Sequence, residues 1–87
     1  MLLLVTYTYE PDKRNEVLKR RAEQGAGFAS GTKVIGEWSN VGGGGGLVIA
    51  ETDDPLAVAE TARGWSDLVK FTVVPVLETE KMLKSLK

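Results

Sequence analysis

The sequence contains no cysteine and no histidine. The first absence excludes disulfides, thiolate metal sites and thiol nucleophiles. The second removes the side chain whose ordinary pKa lies nearest neutrality, which is also the commonest metal ligand. Zinc chemistry is thereby disfavoured, because carboxylates alone suit Mg²⁺ or Ca²⁺ better. No metal and no cofactor is expected. Charge of one sign is lacking as well: 11 basic residues face 12 acidic ones, for a net charge of -1. No overall field draws the chain to nucleic acid or to an anionic membrane. Nor does any apolar run approach the roughly 20 residues that span a bilayer. The opening run Met1 to Val5 has no basic leader and continues into Thr6-Tyr7-Thr8-Tyr9, which reads as a strand rather than an export signal. A cytoplasmic protein is the expectation.

What is present fits one small domain over residues 1–87. Residues 2 to 9 are β-branched, aromatic and aliphatic, without Gly or Pro, and predict a first strand. Pro11 suits a helix start, Val17, Leu18 and Ala22 supply an apolar stripe among charges, and Gly25 suits the helix end. After the small-residue stretch Gly25 to Gly31, Thr32 to Trp38 and Leu47 to Thr52 read as second and third strands. Asn40 and the five glycines Gly42 to Gly46 stand in the loop between them, with a mobile tip expected. Asp53-Asp54-Pro55 is a strong helix start, combining an acidic N-cap with proline where its missing N–H costs nothing. Leu56, Ala59, Ala62 and Trp65 are expected to form the buried stripe of that second helix. Lys70 to Leu77 reads as a fourth strand and Thr79 to Leu86 as a short helix, too short to stand alone.

The order β-α-β-β-α-β with a C-terminal helix is that of an α+β, ferredoxin-like fold. Pro75 agrees with the edge position of its fourth strand, because proline cannot donate to a central ladder. Both helices of such a fold cover one sheet face, and the other should turn polar if water covers it. Here it does not. Leu3, Val5 and Tyr7 oppose Leu2 and Leu4; Leu47 and Ile49 oppose Val48 and Ala50; Phe71, Val73 and Leu77 oppose Val74 and Val76. Four strands of about six residues present roughly 380 Å², near the largest apolar patch of an ordinary monomer. A homodimer packed face to face through that sheet is expected.

The element order, the two-faced sheet and several blocks resemble a known family of short prokaryotic proteins. The blocks are Met1 to Pro11, Gly36-Glu37-Trp38, the glycine loop, Glu51-Thr52-Asp53-Asp54-Pro55 and Trp65-Ser66-Asp67-Leu68 through Pro75-Val76-Leu77. That family is labelled as a domain of unknown function and is similar to the dimeric α/β-barrel superfamily. The resemblance implies a ferredoxin-like fold and dimerisation. The wider superfamily includes cofactor-free monooxygenases, isomerases, haem-degrading enzymes and ligand-sensing domains, so membership assigns no activity.

Haem chemistry of the superfamily's usual kind lacks its histidine here, although a tyrosine can ligate iron. The N-cap role accounts for Asp53 and Asp54 without a metal. The glycine run joins two strands and has no following Lys-Ser/Thr, unlike a phosphate-binding loop. An RNA-recognition module of the same topology would show aromatics on its third strand, where this chain has Leu47, Val48, Ile49 and Ala50. Lys19-Arg20-Arg21 reads as a solvated face beside Glu16 and Glu23.

There remains a pocket between sheet and helices for a small apolar or aromatic molecule. Tyr7, Trp38, Asn40, Glu37 and Trp65 are the candidate ligand-binding residues, Glu37 as a base activated by burial. Tyr9 and Phe71 are further aromatic candidates, and Glu51, Arg63 and Asp67 further polar ones. Trp38, Trp65 and Phe71 also fit as ordinary core or interface residues. Two functions are compatible with these residues: a homodimeric ligand-binding or interaction protein, or a cofactor-free monooxygenase or isomerase. A cavity of at least about 300 Å³ would favour the enzyme.

Overall fold

The computed structural model describes residues 1–28 and 30–86. Its elements are β1 (Leu2–Thr8), a 3₁₀ turn (Pro11–Lys13) leading into α1 (Arg14–Gln24), β2 (Lys33–Ser39), β3 (Gly45–Glu51), α2 (Pro55–Trp65), β4 (Lys70–Val76) and α3 (Thr79–Lys84). The four strands form one antiparallel sheet in the order β2-β3-β1-β4. This is the ferredoxin-like arrangement, with Pro75 on the edge strand β4. Residue 29, within the Gly25 to Gly31 stretch, lies outside the described residues.

Local chemistry explains the element ends. Asp54 caps α2 by accepting a hydrogen bond from the Leu56 N–H at 3.0 Å, and Pro55 occupies the first turn. Gly25 ends α1 at φ 73°, where a side chain would be strained. The loop between β2 and β3 is fastened rather than loose. The N–H of Asn40 donates to the carbonyl of Gly45 at 2.9 Å, that of Gly43 to Asn40 at 2.9 Å, and that of Tyr9 to Gly44 at 3.1 Å.

The two sheet faces are set by register. Leu3, Val5, Val48 and Ala50 face the helices and form a core with Val58 of α2. On the other face lie Leu2, Leu4, Leu47, Ile49, Val74 and Val76, none of them buried. The extra residue Ile35 makes a bulge between Val34 and Gly36. Counting by two from Val34 would put Trp38 toward the helices; the bulge reverses that parity. Glu37, opposite Val48, therefore faces the helices, and Trp38, opposite Leu47, lies on the open face. There its ring covers Gly36, where any Cβ would collide with it.

The helices depart from the expected stripes. In α2 the buried residues are Ala57, Val58, Thr61 and Trp65, whereas Leu56 is 62% exposed and Ala59 is also exposed. Steps of three drift by about 60° each around a helix, while mixed steps of three and four stay on one face. In α1 only Val17 is buried. The helix α3 buries nothing, and Met82, Leu83 and Leu86 are more than half exposed. It does not dock on its own domain.

Two ion pairs tie α1 to the rest, so Arg20 and Arg21 are not the solvated run their neighbours suggest. Arg20 grips Asp67 with both nitrogens, at 2.7 and 2.8 Å, and its guanidinium lies 5.3 Å above the Trp65 ring. The hydrogen bond from Arg20 holds the Asp67 carboxyl below its usual range. A depressed folded-state value means the unfolded chain takes up the proton first as pH falls, so this contribution is present above about pH 4 and lost below it. Asp67→Asn should accordingly flatten the fall of the thermal midpoint between about pH 5 and pH 3. Parallel circular-dichroism melting curves for variant and parent across that range would contradict the assignment.

Candidate ligand cavity

Between the sheet and the helices is a partly open cavity of about 180 Å³. It exists because α1 stands off the sheet, sinking only Val17, while the far ends of β1 and β3 carry Tyr7 and Gly46. Gly46 is what lets the Tyr7 ring lie flat across the sheet. A Cβ there would meet the Tyr7 hydroxyl at 2.6 Å and run into the Trp38 carbonyl. Gly46→Ala should cost about 1 to 3 kcal/mol through this overpacking. Urea unfolding measures it, and an unchanged midpoint would contradict the geometry.

The floor is aromatic and aliphatic. Tyr7 stacks on Tyr9 with centroids 6.4 Å apart and meets Phe71 at 6.0 Å. Trp65 forms a wall, 9% exposed, held in place by its indole N–H, which donates to the Ala26 carbonyl at 2.9 Å. Val48, Val69 and Phe28 add to the apolar lining. At the mouth stand Arg14, Arg21, Glu37, Ser39 and Asn40. Arg21 Nη2 donates to Glu37 Oε1 at 2.8 Å and Nε to Oε2 at 3.4 Å. That hydrogen bond holds the Arg21 guanidinium above its ordinary value, firmly charged.

Of the five residues singled out in the sequence, Tyr7, Asn40, Glu37 and Trp65 line this one cavity. Trp38 does not, because adjacent strand residues face opposite ways and Glu37 takes the inner one. Glu37 is not the isolated carboxylate that a buried base requires: its side chain is 28% exposed and Arg21 is bound to it. Tyr9 and Phe71 belong to the lining, whereas Glu51, Arg63 and Asp67 lie outside it. Sequence reasoning missed Arg14, Arg21, Phe28 and Gly46. For the two arginines the signal was available, since Arg14, Val17, Leu18 and Arg21 recur at helical spacing on one face of α1. Among the described residues no cluster of acidic side chains could hold a metal ion. No described helix is long and apolar enough to cross a membrane.

Fold and cavity together define a small α+β domain of ferredoxin-like topology with an aromatic pocket beneath its first helix. The chain belongs to the family described as Domain of unknown function (DUF3303), whose model matches residues 1–87. No curated protein and no solved structure matches it.

Proposed function

We propose that this chain is a homodimeric binding protein for a small aromatic molecule, held in the cavity between α1 and the sheet. The observation that carries the reading is the cavity itself. Its volume of about 180 Å³ exceeds the roughly 150 Å³ that accommodates benzene in an apolar protein interior, and its floor is built of rings. A second copy is supported by the open face, where Leu4, Leu47 and Ile49 are only half-buried and Trp38 is 56% exposed. Met82, Leu83 and Leu86, in and just after α3, are more than half exposed as well and offer further apolar surface to a partner copy. Binding is favoured over cofactor-free monooxygenase or isomerase chemistry for two reasons. The cavity falls short of the roughly 300 Å³ set for the enzyme while still admitting a single ring, and its carboxylate is already engaged by an arginine.

Trp65 lines the cavity and Trp38 is on the other face, so Trp38→Phe leaves a single tryptophan that reports on the site. Titrating that variant with phenylacetamide should change its emission saturably, with a Kd at or below about 1 mM. Emission that stays flat through saturating concentrations of both this probe and its acid, phenylacetate, contradicts the proposal.

A further inference from the structure

The polar groups at the cavity mouth do not balance. Glu37 is the carboxylate that reaches it, and Arg21 occupies that carboxylate through Nη2 and Nε. Arg14 stands at the same mouth, close enough to the glycine loop that a Cβ on Gly43 would lie 3.9 Å from its Nε. It makes no ion pair or hydrogen bond with any described residue, and neither Arg21 Nη1 nor the Asn40 side chain makes a hydrogen bond with one. The mouth therefore offers one uncompensated positive charge and a set of donors that no described residue engages, around a single carboxylate that is already neutralised. A neutral hydrocarbon would leave every one of them unanswered.

The loop fixes where that charge is presented. Gly43, at φ 83°, is tied to the Asn40 carbonyl, and Gly44 to the Tyr9 N–H, so the strip beside Arg14 is a bonded turn without side chains. A planar group can enter over it and meet the guanidinium edge on. The volume limits the rest of the ligand: one six-membered ring with a short substituent fills about 180 Å³.

We propose, resting on the binding function above, that the ligand is a monocyclic aromatic carboxylate. Its ring lies against Tyr7, Trp65 and Phe71, and its carboxylate accepts from the Arg14 guanidinium, with Arg21 Nη1 and the Asn40 amide as further donors. A guanidinium fork matches a carboxylate in shape as well as charge, and such bonds are about twice as strong as neutral ones.

Phenylacetate and phenylacetamide are isosteric and differ by the charge, so the pair separates the two claims. With Trp65 emission read in Trp38→Phe protein at neutral pH, phenylacetate should bind about tenfold or more tightly than phenylacetamide. Added salt should erode that preference. Adding Arg14→Gln should bring the two probes within about twofold of each other, and Arg14→Lys should restore part of the preference. Equal binding of the two probes by the parent, or an undiminished preference in Arg14→Gln, overturns the carboxylate assignment while the binding function stands. Failure of both probes to bind overturns the binding function and this inference with it.

Discussion

Ile49→Lys should convert the protein from particles of twice the 9.4 kDa chain mass to particles of that mass once. Ile49 sits near the middle of the open sheet face, between Leu4 of β1 and Gly36 of β2, which Trp38 covers. Packed against a second copy, a lysine there is an unpaired charge withdrawn from water, which costs about 3 to 5 kcal/mol. A two-fold interface meets the substitution twice. Dissociation should therefore rise by at least about 10⁴-fold, enough to empty a micromolar dimer. Glu60→Gln, on the exposed side of α2, likewise raises the net charge by one, away from the face, and should keep the dimer mass. Sedimentation equilibrium decides. A parent protein at 9.4 kDa, or an Ile49→Lys protein still at twice that mass, contradicts the placement of the interface.

Trp65→Ala should be the most destabilising single truncation. The side chain is buried in a cluster with Val17, Leu68 and Val69, carries the Arg20 guanidinium on its face and donates to the Ala26 carbonyl. Removing a buried aromatic costs about 3 to 5 kcal/mol, within a total stability of about 5 to 15 kcal/mol for a typical domain. At about 4 to 8 °C per kcal/mol for a chain of this size, the thermal midpoint should fall by at least about 12 °C. Trp65→Phe keeps most of the apolar contact and loses mainly the hydrogen bond, so its fall should be far smaller, on the order of 1 kcal/mol. Equal losses for the two variants would mean that the indole is not the packed wall described here.

The features readable directly from residues were those set by local physics. Asp54-Pro55 dictates where α2 begins, Gly25 where α1 ends, and Pro75 which strand lies at an edge. None of these depends on a distant partner. The apolar character of both sheet faces was equally legible, because strand alternation has a period of two. The phase of α2 was misjudged, since nine residues carry a helix through half a turn beyond whole turns, so Leu56 lies opposite Trp65, which shares the inner face with Val58 and Thr61. Trp38 marks the deeper limit. Its side of the sheet is decided by the Ile35 bulge, a property of the pairing between β2 and β3 rather than of either strand alone. The cavity was legible in its aromatic floor, through Tyr7 and Trp65, and at its mouth through Glu37 and Asn40, but not in its arginines. Helical spacing puts Arg14 and Arg21 on the face of α1 that carries Val17, but what that face meets depends on how α1 stands on the sheet, which no short window of sequence encodes.

The two tryptophans lie on opposite faces of one sheet, and their indole N–H signals in a nitrogen-correlated NMR spectrum report the two faces separately. Addition of phenylacetamide should shift the Trp65 indole signal progressively while that of Trp38 stays in place. Movement of the Trp38 signal alone, or no movement of either with this probe and with phenylacetate, would contradict a ligand site between α1 and the sheet.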